Sequence, residues 1–330
     1  MYYGGEILIT KTKQNKICLY FLGSGKVAVP VLQALANSDF IELVGLGTQE
    51  DQPSGRKKKQ LPTPVGVWAD KHGVAVDKPD SVNKLFFLRK LESLSPDFIL
   101  VASFGQLLKE KILSLPKYGC INIHASLLPK YRGASPITAP ILNGDSSTGV
   151  AIMEMEKGLD TGPVFDSFEH NLTGTENAEK LELILGELAA KNIEDVLIKM
   201  YNRELYPVQQ DHSKASYVGK IKKQDGEIDW VLPAIKIERM IRAYYPWPGA
   251  YFFLHFGDNK KRKIQITEAV VCQNKSDTKP GQVARADKKS WVIACGTDSL
   301  EIKKMIPEGK KEMTGADFVR GSRITEGDCV

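Results

Sequence analysis

Apolar and polar stretches alternate along the first two thirds of the chain in a way that is typical of an α/β fold. Residues 17–22 form a continuous apolar run, as expected of a strand buried on both faces, and a glycine turn joins them to a helical pattern at residues 29–36. The apolar runs Ile41–Gly47 and Phe98–Ala102 have the same character. We therefore predict a doubly wound α/β domain with a mostly parallel sheet at residues 17–202.

The last third of the chain has a different pattern, in which short strand-like runs recur between turn residues. A stretch without strong periodicity at residues 203–221 is interpreted as a linker. The short runs that follow it are separated by Gly, Asn, Asp and Pro, and they lie at residues 250–254, 263–271, 281–284, 291–294 and 300–305. Several short strands with turn signals indicate a small β-barrel, which we predict at residues 222–330.

The net positive charge is confined to this last third. Residues 221–330 contain 20 Lys and Arg against 15 Asp and Glu, whereas the whole chain contains 45 against 40, so residues 1–220 are neutral with 25 of each sign. A basic module beside a neutral one fits a polyanionic partner such as a nucleic acid. An ordinary solvated surface with a small basic excess is the alternative.

A second basic feature is the long polar loop at residues 48–62. It contains four consecutive cations, Arg56, Lys57, Lys58 and Lys59. A loop of this length without secondary structure is often functional, and its cations can reach an RNA phosphate backbone. A solvated run of charge is the competing interpretation.

The cysteines and the apolar runs limit the classes of protein that the chain can represent. The five cysteines, at positions 18, 120, 272, 295 and 329, form no Cys-x-x-Cys pair, so we expect reduced thiols in a cytoplasmic protein and no metal site. The longest apolar runs are strand-length, far short of the ~20 residues that a membrane-spanning helix needs. Residues 1–16 lack the long apolar region of a signal peptide and are interpreted as an N-terminal extension.

The candidate chemistry lies in the segment at residues 119–136, where a short apolar strand leads into a polar loop. Asn122 and His124 are two positions apart, so on a strand their side chains point to the same face. The glycine-bounded loop at residues 158–162 carries Asp160, which we expect to return in space to His124. Acyl transfer to an amine needs such groups, because Asn122 and a protonated His124 can donate hydrogen bonds to a developing oxyanion. Asp160 can fix the imidazole and take the proton of the amine, directly or through water.

Each of these signals also has an ordinary structural interpretation. A histidine after an apolar strand and an aspartate in a glycine-bounded turn are more often structural than catalytic. The turn at residues 23–28 matches the loose pattern Gly-x-Gly-x-x-Ala of dinucleotide-binding proteins, with Glu42 near the position of the ribose-binding acid. Only two glycines match, so a plain strand-to-helix turn is favoured over an NAD-dependent oxidoreductase.

Several segments together resemble the formyltransferases that use 10-formyltetrahydrofolate. They are Asn-Ile-His-Ala-Ser-Leu-Leu-Pro at residues 122–129, Tyr-Arg-Gly-Ala at 131–134, Gly-Leu-Asp-Thr-Gly at 158–162, Arg-Ala-Tyr-Tyr-Pro-Trp-Pro-Gly-Ala-Tyr at 242–251, and the basic loop. The first motif is long and specific, and the likeness extends from residue 17 to residue 319. The chain is most similar to the tRNA-directed members of this family.

The resemblance implies a Rossmann-like catalytic domain followed by an OB-like β-barrel that binds tRNA. It implies transfer of the formyl group from N10 of the folate to the α-amino group of methionyl initiator tRNA, for translation initiation. The implied route is direct attack by the amine, with an oxyanion-stabilised tetrahedral intermediate. Neither a metal ion, nor an obligate protein partner, nor a membrane is implied.

The resemblance also assigns roles to individual residues. Asn122, His124 and Asp160 are the implied catalytic trio. The residues implied to line the folate site are Ser126, Leu127, Leu128 and Pro129, and those implied to flank the pterin are Ser103, Phe104 and Gly105. The loop implied to enter the acceptor arm of the charged initiator tRNA contains Arg56, Lys57, Lys58 and Lys59.

Two other functions compete with this one. A folate-dependent formyltransferase for an amino-sugar nucleotide uses the same trio, but the basic loop and the basic barrel favour tRNA. A pure RNA-binding barrel protein does not need Asn, His and Asp in a separate α/β domain.

Replacement of Arg56, Lys57, Lys58 and Lys59 by glutamine tests the basic loop. We expect KM for the tRNA to rise and its salt dependence to weaken, since the slope of log affinity against log salt falls by about 0.7–0.9 for each phosphate that is no longer neutralised. Formyl transfer at increasing NaCl concentrations measures both quantities, and KM for the folate is the internal control. An unchanged salt slope would identify the loop as a solvated surface.

Overall fold

The computed structural model describes residues 16–54, 59–256, 260–273 and 278–330. The helices are α1 (Ala28–Ala36), α2 (Pro64–His72), α3 (Leu85–Leu94), α4 (Glu110–Leu113), α5 (Thr138–Asn143), α6 (Ala178–Tyr201), α7 (Ala234–Ala243) and α8 (Gly315–Arg320). The strands are β1 (Ile17–Gly23), β2 (Ile41–Gly47), β3 (Gln52–Ser54), β4 (Lys59–Leu61), β5 (Phe98–Ala102), β6 (Cys120–His124), β7 (Arg132–Gly133), β8 (Ser147–Glu154), β9 (Val164–Asn171), β10 (Tyr217–Val218), β11 (Ala250–Phe256), β12 (Lys260–Cys272), β13 (Val283–Ala286), β14 (Trp291–Ala294), β15 (Ser299–Pro307) and β16 (Met313–Thr314). No helix in these ranges is both long enough and apolar enough to cross a membrane.

A six-stranded sheet with the order β2-β1-β5-β6-β8-β9 forms the α/β part of the molecule. Strand β1 pairs in parallel with β2 and β5, and β5 pairs in parallel with β6, whereas β8 runs antiparallel to β6. Every residue of β5 is buried, which accounts for its uninterrupted apolar sequence. The predicted mostly parallel sheet is therefore confirmed.

The second large sheet is antiparallel and contains the short strands predicted in the last third of the chain. Its order is β11-β12-β15-β14-β13, with β16 paired to β15. Trp291 lies in its core, where the indole stacks on Phe318 with ring centroids 5.3 Å apart and meets Phe252 at 6.0 Å. The antiparallel β structure predicted from the turn pattern is confirmed, and aromatic rings pack in its core.

Helix α2 shows how residue types set the limits of an element. The Thr63 hydroxyl accepts a hydrogen bond from Gly66 N at 3.0 Å. Pro64 occupies the first turn, where backbone N–H groups have no partner within the helix, so the N–H that proline lacks is not missed. The helix ends at Gly73, whose φ of 65° is the left-handed conformation that closes many helices. Both limits of the helix therefore follow from local sequence.

The polar loop at residues 48–62 differs from the structureless loop that its sequence predicts. It contains the antiparallel pair β3 and β4, with Gln52 opposite Leu61, because backbone hydrogen bonds can pair two strands without apolar side chains. The predicted tRNA-binding residues Arg56, Lys57 and Lys58 lie outside the described residues. Only the backbone of Lys59, where β4 begins, is described.

Two compact units divide the described chain. The first contains the described residues up to His124, together with Ala151–Asp166 and Gly186–Gln210. The second contains Ala125–Val150, Ser167–Leu185 and Asp211–Val330. The boundaries inferred from sequence, at residues 202 and 222, stay predictions about domains.

Glu176, in the second unit, organises the turn before α6. Its carboxylate accepts hydrogen bonds from Thr173 N at 2.9 Å, from Thr173 Oγ1 at 2.7 Å, and from the amides of Gly174 and Thr175 at 3.1 Å each. Burial alone would raise the pKa of this carboxyl group, but the donated hydrogen bonds outweigh burial and lower the pKa to about 2. Arg242 on α7 donates to the Glu176 carbonyl at 3.0 Å, which joins the same turn to α7.

The Glu176 hydrogen bonds predict a stability that depends on pH. The pKa of Glu176 is lower in the folded state than in the unfolded state, so its contribution is complete above about pH 4.5 and is lost as the pH falls towards about 2. The advantage in unfolding free energy of the wild type over Glu176→Gln should shrink by about 2 kcal/mol between pH 6 and pH 3. Urea titrations of both proteins at each pH measure this difference, and a constant difference contradicts the assignment.

Candidate active site

Strand β6 presents Asn122 and His124 on one face of the sheet. In the register of the sheet Asn122 stands beside Val101 of β5 and Met153 of β8, and His124 pairs with Ala151. The alternation of side chains along a strand places the two polar groups on the same side, as their spacing predicts. Asn122 is half-buried, and only 5% of the His124 side chain is exposed. An amide and an imidazole therefore lie together at the carboxyl end of a central strand.

The structure brings Asp160 to this pair. The distance between Asp160 Oδ2 and His124 Nδ1 is 3.7 Å. That separation is within ion-pair range, although it exceeds the roughly 2.7–3.2 Å of an N–H···O hydrogen bond. The Asp160 side chain is 16% exposed, so its carboxylate lies beside the imidazole in a largely desolvated position. The three residues of the predicted trio thus belong to one unit, with Asp160 beside His124.

The loop that carries Asp160 is held against strand β8. Glu154 N donates to the Pro163 carbonyl at 2.9 Å, and a Cβ atom at Gly162 would clash with the Glu154 carbonyl. Asp160 itself has a φ of 52°, in the left-handed region that residues other than glycine seldom adopt. Asp and Asn tolerate this region better than other side chains, which accounts for an acidic residue at the turn.

Gln210 contacts this loop from elsewhere in the chain, and its local sequence gives no signal of that contact. Its side chain is buried, and its Nε2 donates to the carbonyl oxygen of Asp160 at 2.9 Å and to that of Gly162 at 2.6 Å. It follows Val208, whose N–H and carbonyl both bond to Val164 at 2.8 Å. Gln210 lies in the segment interpreted as a linker, and no local pattern distinguishes it there. Its role depends on a contact across 50 residues of sequence.

The turn after β5 contains both exposed and buried residues. Ser103 and Gly105 are exposed, with φ of 48° and 82°, and the Ser103 carbonyl accepts a hydrogen bond from Gly25 N at 3.2 Å. Phe104 is only 2% exposed and packs in the core with Leu88 and Leu108. Of the three residues implied to flank the pterin, the structure leaves Ser103 and Gly105 accessible at the turn and places the Phe104 ring in the interior.

Residues 126–129 belong to the second unit. Ser126 is fully buried, and its hydroxyl donates to the Lys130 carbonyl at 2.6 Å, which closes the turn. Leu127, Leu128 and Pro129 are half-buried. The Ser126 hydroxyl is therefore bonded to the backbone, whereas the three apolar side chains leave part of their surface exposed.

The arginine of the Tyr-Arg-Gly-Ala segment at residues 131–134 is buried among side chains of the second unit. Arg132 is 1% exposed, and its guanidinium lies 3.0 Å from the Tyr217 hydroxyl, to which it donates, and 3.1 Å from His212 Nδ1. Strand β7, which contains Arg132, pairs in parallel with β10. This part of the motif therefore fastens the segment after β6 to residues 212–218 within the second unit.

The second unit also carries cations over aromatic rings on strands β11 and β12. Lys261 Nζ lies 3.9 Å from the centroid of the Phe253 ring, and Lys263 Nζ lies 3.7 Å from that of Tyr251. Burial, followed by the positive charge of Lys223, lowers the pKa of Lys263. Cations interleaved with aromatic rings suit a nucleic-acid surface. In the part of the chain that the structure describes, no group of three or more His, Cys, Asp and Glu side chains could hold a metal ion.

Comparison with known proteins identifies the family. The formyl transferase model matches residues 15–197, and the model of the formyl transferase C-terminal domain matches residues 220–323. A methionyl-tRNA formyltransferase of Bacillus velezensis is 40% identical over 313 residues, which cover 94% of this chain and 97% of that protein. The chain belongs to the methionyl-tRNA formyltransferase family.

Solved structures share the fold of this formyltransferase. HypX from Aquifex aeolicus, in complex with tetrahydrofolic acid, matches with a TM-score of 0.61 and 15% identity over 92% of this chain and 46% of HypX. WlaRD, a sugar 3N-formyl transferase solved in the presence of dTDP and 5-N-formyl-THF, matches with a TM-score of 0.59 and 19% identity over 91% of this chain and all of WlaRD. At these identities the likeness concerns the fold alone.

Membership of the methionyl-tRNA formyltransferase family also settles how the turn at residues 23–28 is interpreted. In the structure it joins β1 to α1, and the Ser24 hydroxyl accepts a hydrogen bond from Gln49 N at 3.1 Å and lies 3.2 Å from Thr48 Oγ1. The turn is thus braced by neighbouring loops at the strand ends. The plain strand-to-helix turn favoured from the sequence agrees with these contacts, and the oxidoreductase alternative has no support.

Proposed function

We propose that this formyltransferase moves the formyl group of 10-formyltetrahydrofolate to the α-amino group of methionyl initiator tRNA. The observation that carries the proposal is the Asp160 carboxylate 3.7 Å from the His124 ring, with Asn122 on the same strand face. The 40% identity to a methionyl-tRNA formyltransferase over nearly the whole chain supports the choice of acceptor.

In the proposed reaction the lone pair of the amine attacks the formyl carbon. As the carbonyl electrons move to the formyl oxygen, Asn122 and His124 donate hydrogen bonds to that oxygen and stabilise its negative charge in the tetrahedral intermediate. Asp160 orients the His124 ring and accepts the proton that the amine loses, directly or through a water molecule. Cleavage of the bond between the formyl carbon and N10 returns the electron pair to N10, which takes up a proton.

The donor is proposed to contact two segments. In the turn after β5, the accessible groups are Ser103 and Gly105, and the buried Phe104 supports their backbone from the core. In the turn after β6, the half-buried side chains of residues 127–129 offer apolar contact, and Ser126 holds the shape of the turn through its bond to Lys130. Taken separately, the turn after β5 suits backbone hydrogen bonds to a heteroaromatic ring, and the turn after β6 suits apolar contact with one.

The acceptor is proposed to be the charged initiator tRNA, held through its phosphates. The excess of five positive charges in residues 221–330 and the cations over aromatic rings on β11 and β12 support a polyanionic acceptor. Arg56, Lys57, Lys58 and Lys59 are proposed to contact the acceptor arm. We place the enzyme in the cytoplasm, where its five free cysteines stay reduced.

A formyl-transfer assay with 10-formyltetrahydrofolate tests the acceptor. We expect formylation of charged initiator tRNA, much slower formylation of charged elongator tRNA, and none of an amino-sugar nucleotide, which lacks the phosphate backbone that the basic surface binds. The formylated products are separated and counted for each acceptor. A preference for the amino-sugar nucleotide would replace the proposed substrate class.

Asn122→Ala tests the oxyanion role. We expect kcat to fall by about 10²–10³, the usual loss for one oxyanion donor, with little change in KM for either substrate. Steady-state kinetics measure both parameters. The matched control is Asn192→Ala on α6, which removes a side-chain amide that donates to the Leu188 carbonyl at 2.7 Å. A kcat near that of the control would remove Asn122 from the mechanism.

A further inference from the structure

We propose that Gln210 is a positioning residue for Asp160, which keeps the Asp160 carboxylate beside the His124 ring. Its amide acts on the backbone of the loop that carries the carboxylate, through the carbonyl oxygens on either side of Thr161. This assignment rests on the proposed function, because it gives Gln210 a part in the reaction through Asp160.

The geometry of the side chain supports this role. One Nε2 atom donates to two carbonyl oxygens, those of Asp160 at 2.9 Å and Gly162 at 2.6 Å, so it bridges the loop across Thr161. A primary amide carries two N–H groups, which is the number that the bridge requires. Gln210 is 8% exposed, so water competes little for these bonds. The bridge therefore defines the spacing of two peptide groups on either side of Thr161.

The backbone at Asp160 needs such support. Even for an aspartate, which tolerates the left-handed region better than most residues, a φ of 52° costs free energy that surrounding contacts must offset. The Thr161 hydroxyl donates to Glu156 at 2.6 Å, but that bond is exposed and does not involve the Asp160 peptide group. The Gln210 bond to the Asp160 carbonyl acts directly on the strained residue. Its loss would remove one of the contacts that maintain this backbone conformation.

The position of Gln210 is itself maintained by regular backbone pairing. Two residues before it, Val208 exchanges two hydrogen bonds of 2.8 Å with Val164, at the beginning of β9. Val164 follows Pro163 directly, and the Pro163 carbonyl accepts from Glu154 N on β8. The backbone next to Gln210 is therefore paired with the sheet that carries His124, and the Gln210 side chain bonds to the Asp160 loop. All of these residues belong to one compact unit.

Gln210→Met tests the bridge with the side-chain length retained and both N–H groups removed. We expect kcat to fall about 10- to 100-fold, because the Asp160 and Gly162 carbonyls lose the hydrogen bonds of the Gln210 amide and the Asp160 carboxylate is no longer held beside His124. KM for both substrates should stay within about twofold. The control is Asn83→Ala, since Asn83 also braces a loop by donating its amide to a carbonyl, that of Leu107, at 2.8 Å. The control should keep the kcat of the wild type.

A double-mutant cycle separates positioning from general stability. In an Asp160→Asn background, Gln210→Met should lower kcat by less than about twofold, since the group that it positions is already gone. An equal loss in both backgrounds would overturn the proposal, as would a wild-type kcat in Gln210→Met alone. If the methionine variant does not fold, Gln210→Ser, which leaves room for a water molecule, takes its place in the same cycle.

A spectroscopic measurement makes the test independent of the substrate. The imidazole resonances of His124, assigned with His124→Asn, should shift in Gln210→Met in the same direction as in Asp160→Asn, while those of the other four histidines stay in place. An unmoved His124 resonance would overturn the positioning role. If instead the wild type transfers no formyl group to tRNA but the resonance shifts, the proposed function fails and the positioning role stands.

Discussion

The approach of the Asp160 carboxylate to the His124 ring depends on a precise alignment of two strands. His124 pairs with Ala151 across β6 and β8, and the chain then leaves β8 and turns back so that the carboxylate is 3.7 Å from the imidazole. A shift of one residue in this antiparallel register would turn His124 to the opposite face of the sheet. The chemistry of the site is therefore a consequence of sheet register, and the apolar core that fixes the register supports the site.

The part of the site that could be predicted from the sequence is the part that depends on local geometry. Asn122 and His124 share a face because the side chains of a strand alternate, and a run as apolar as β5 can hardly be other than a central strand. The motif around Asp160 distinguishes that aspartate from others in the sequence. Its position beside His124, however, depends on the course of the chain through β8, which the sequence does not show. Gln210 could not be found, since its two hydrogen bonds join segments far apart in sequence.

The environments of Phe104 and Ser126 show a second limit of sequence analysis. Both belong to segments implied to bind the donor, yet Phe104 packs in the core and the Ser126 hydroxyl is bonded to the Lys130 carbonyl. A specific motif contains residues that touch a ligand and residues that shape the loop, and only packing distinguishes the two kinds. Likewise, β3 and β4 pair through backbone hydrogen bonds, which leave no pattern in polar side chains.

The path of residues 203–210 bears on how the enzyme can be divided. The family model of the first domain ends at residue 197, and periodicity places its end at residue 202. A fragment cut at either point would keep Asn122, His124 and Asp160 but would lose the Val208 pairing and the Gln210 amide. A fragment that keeps the Gln210 hydrogen bonds to the Asp160 loop therefore extends at least to residue 210, into sequence that by composition resembles a linker.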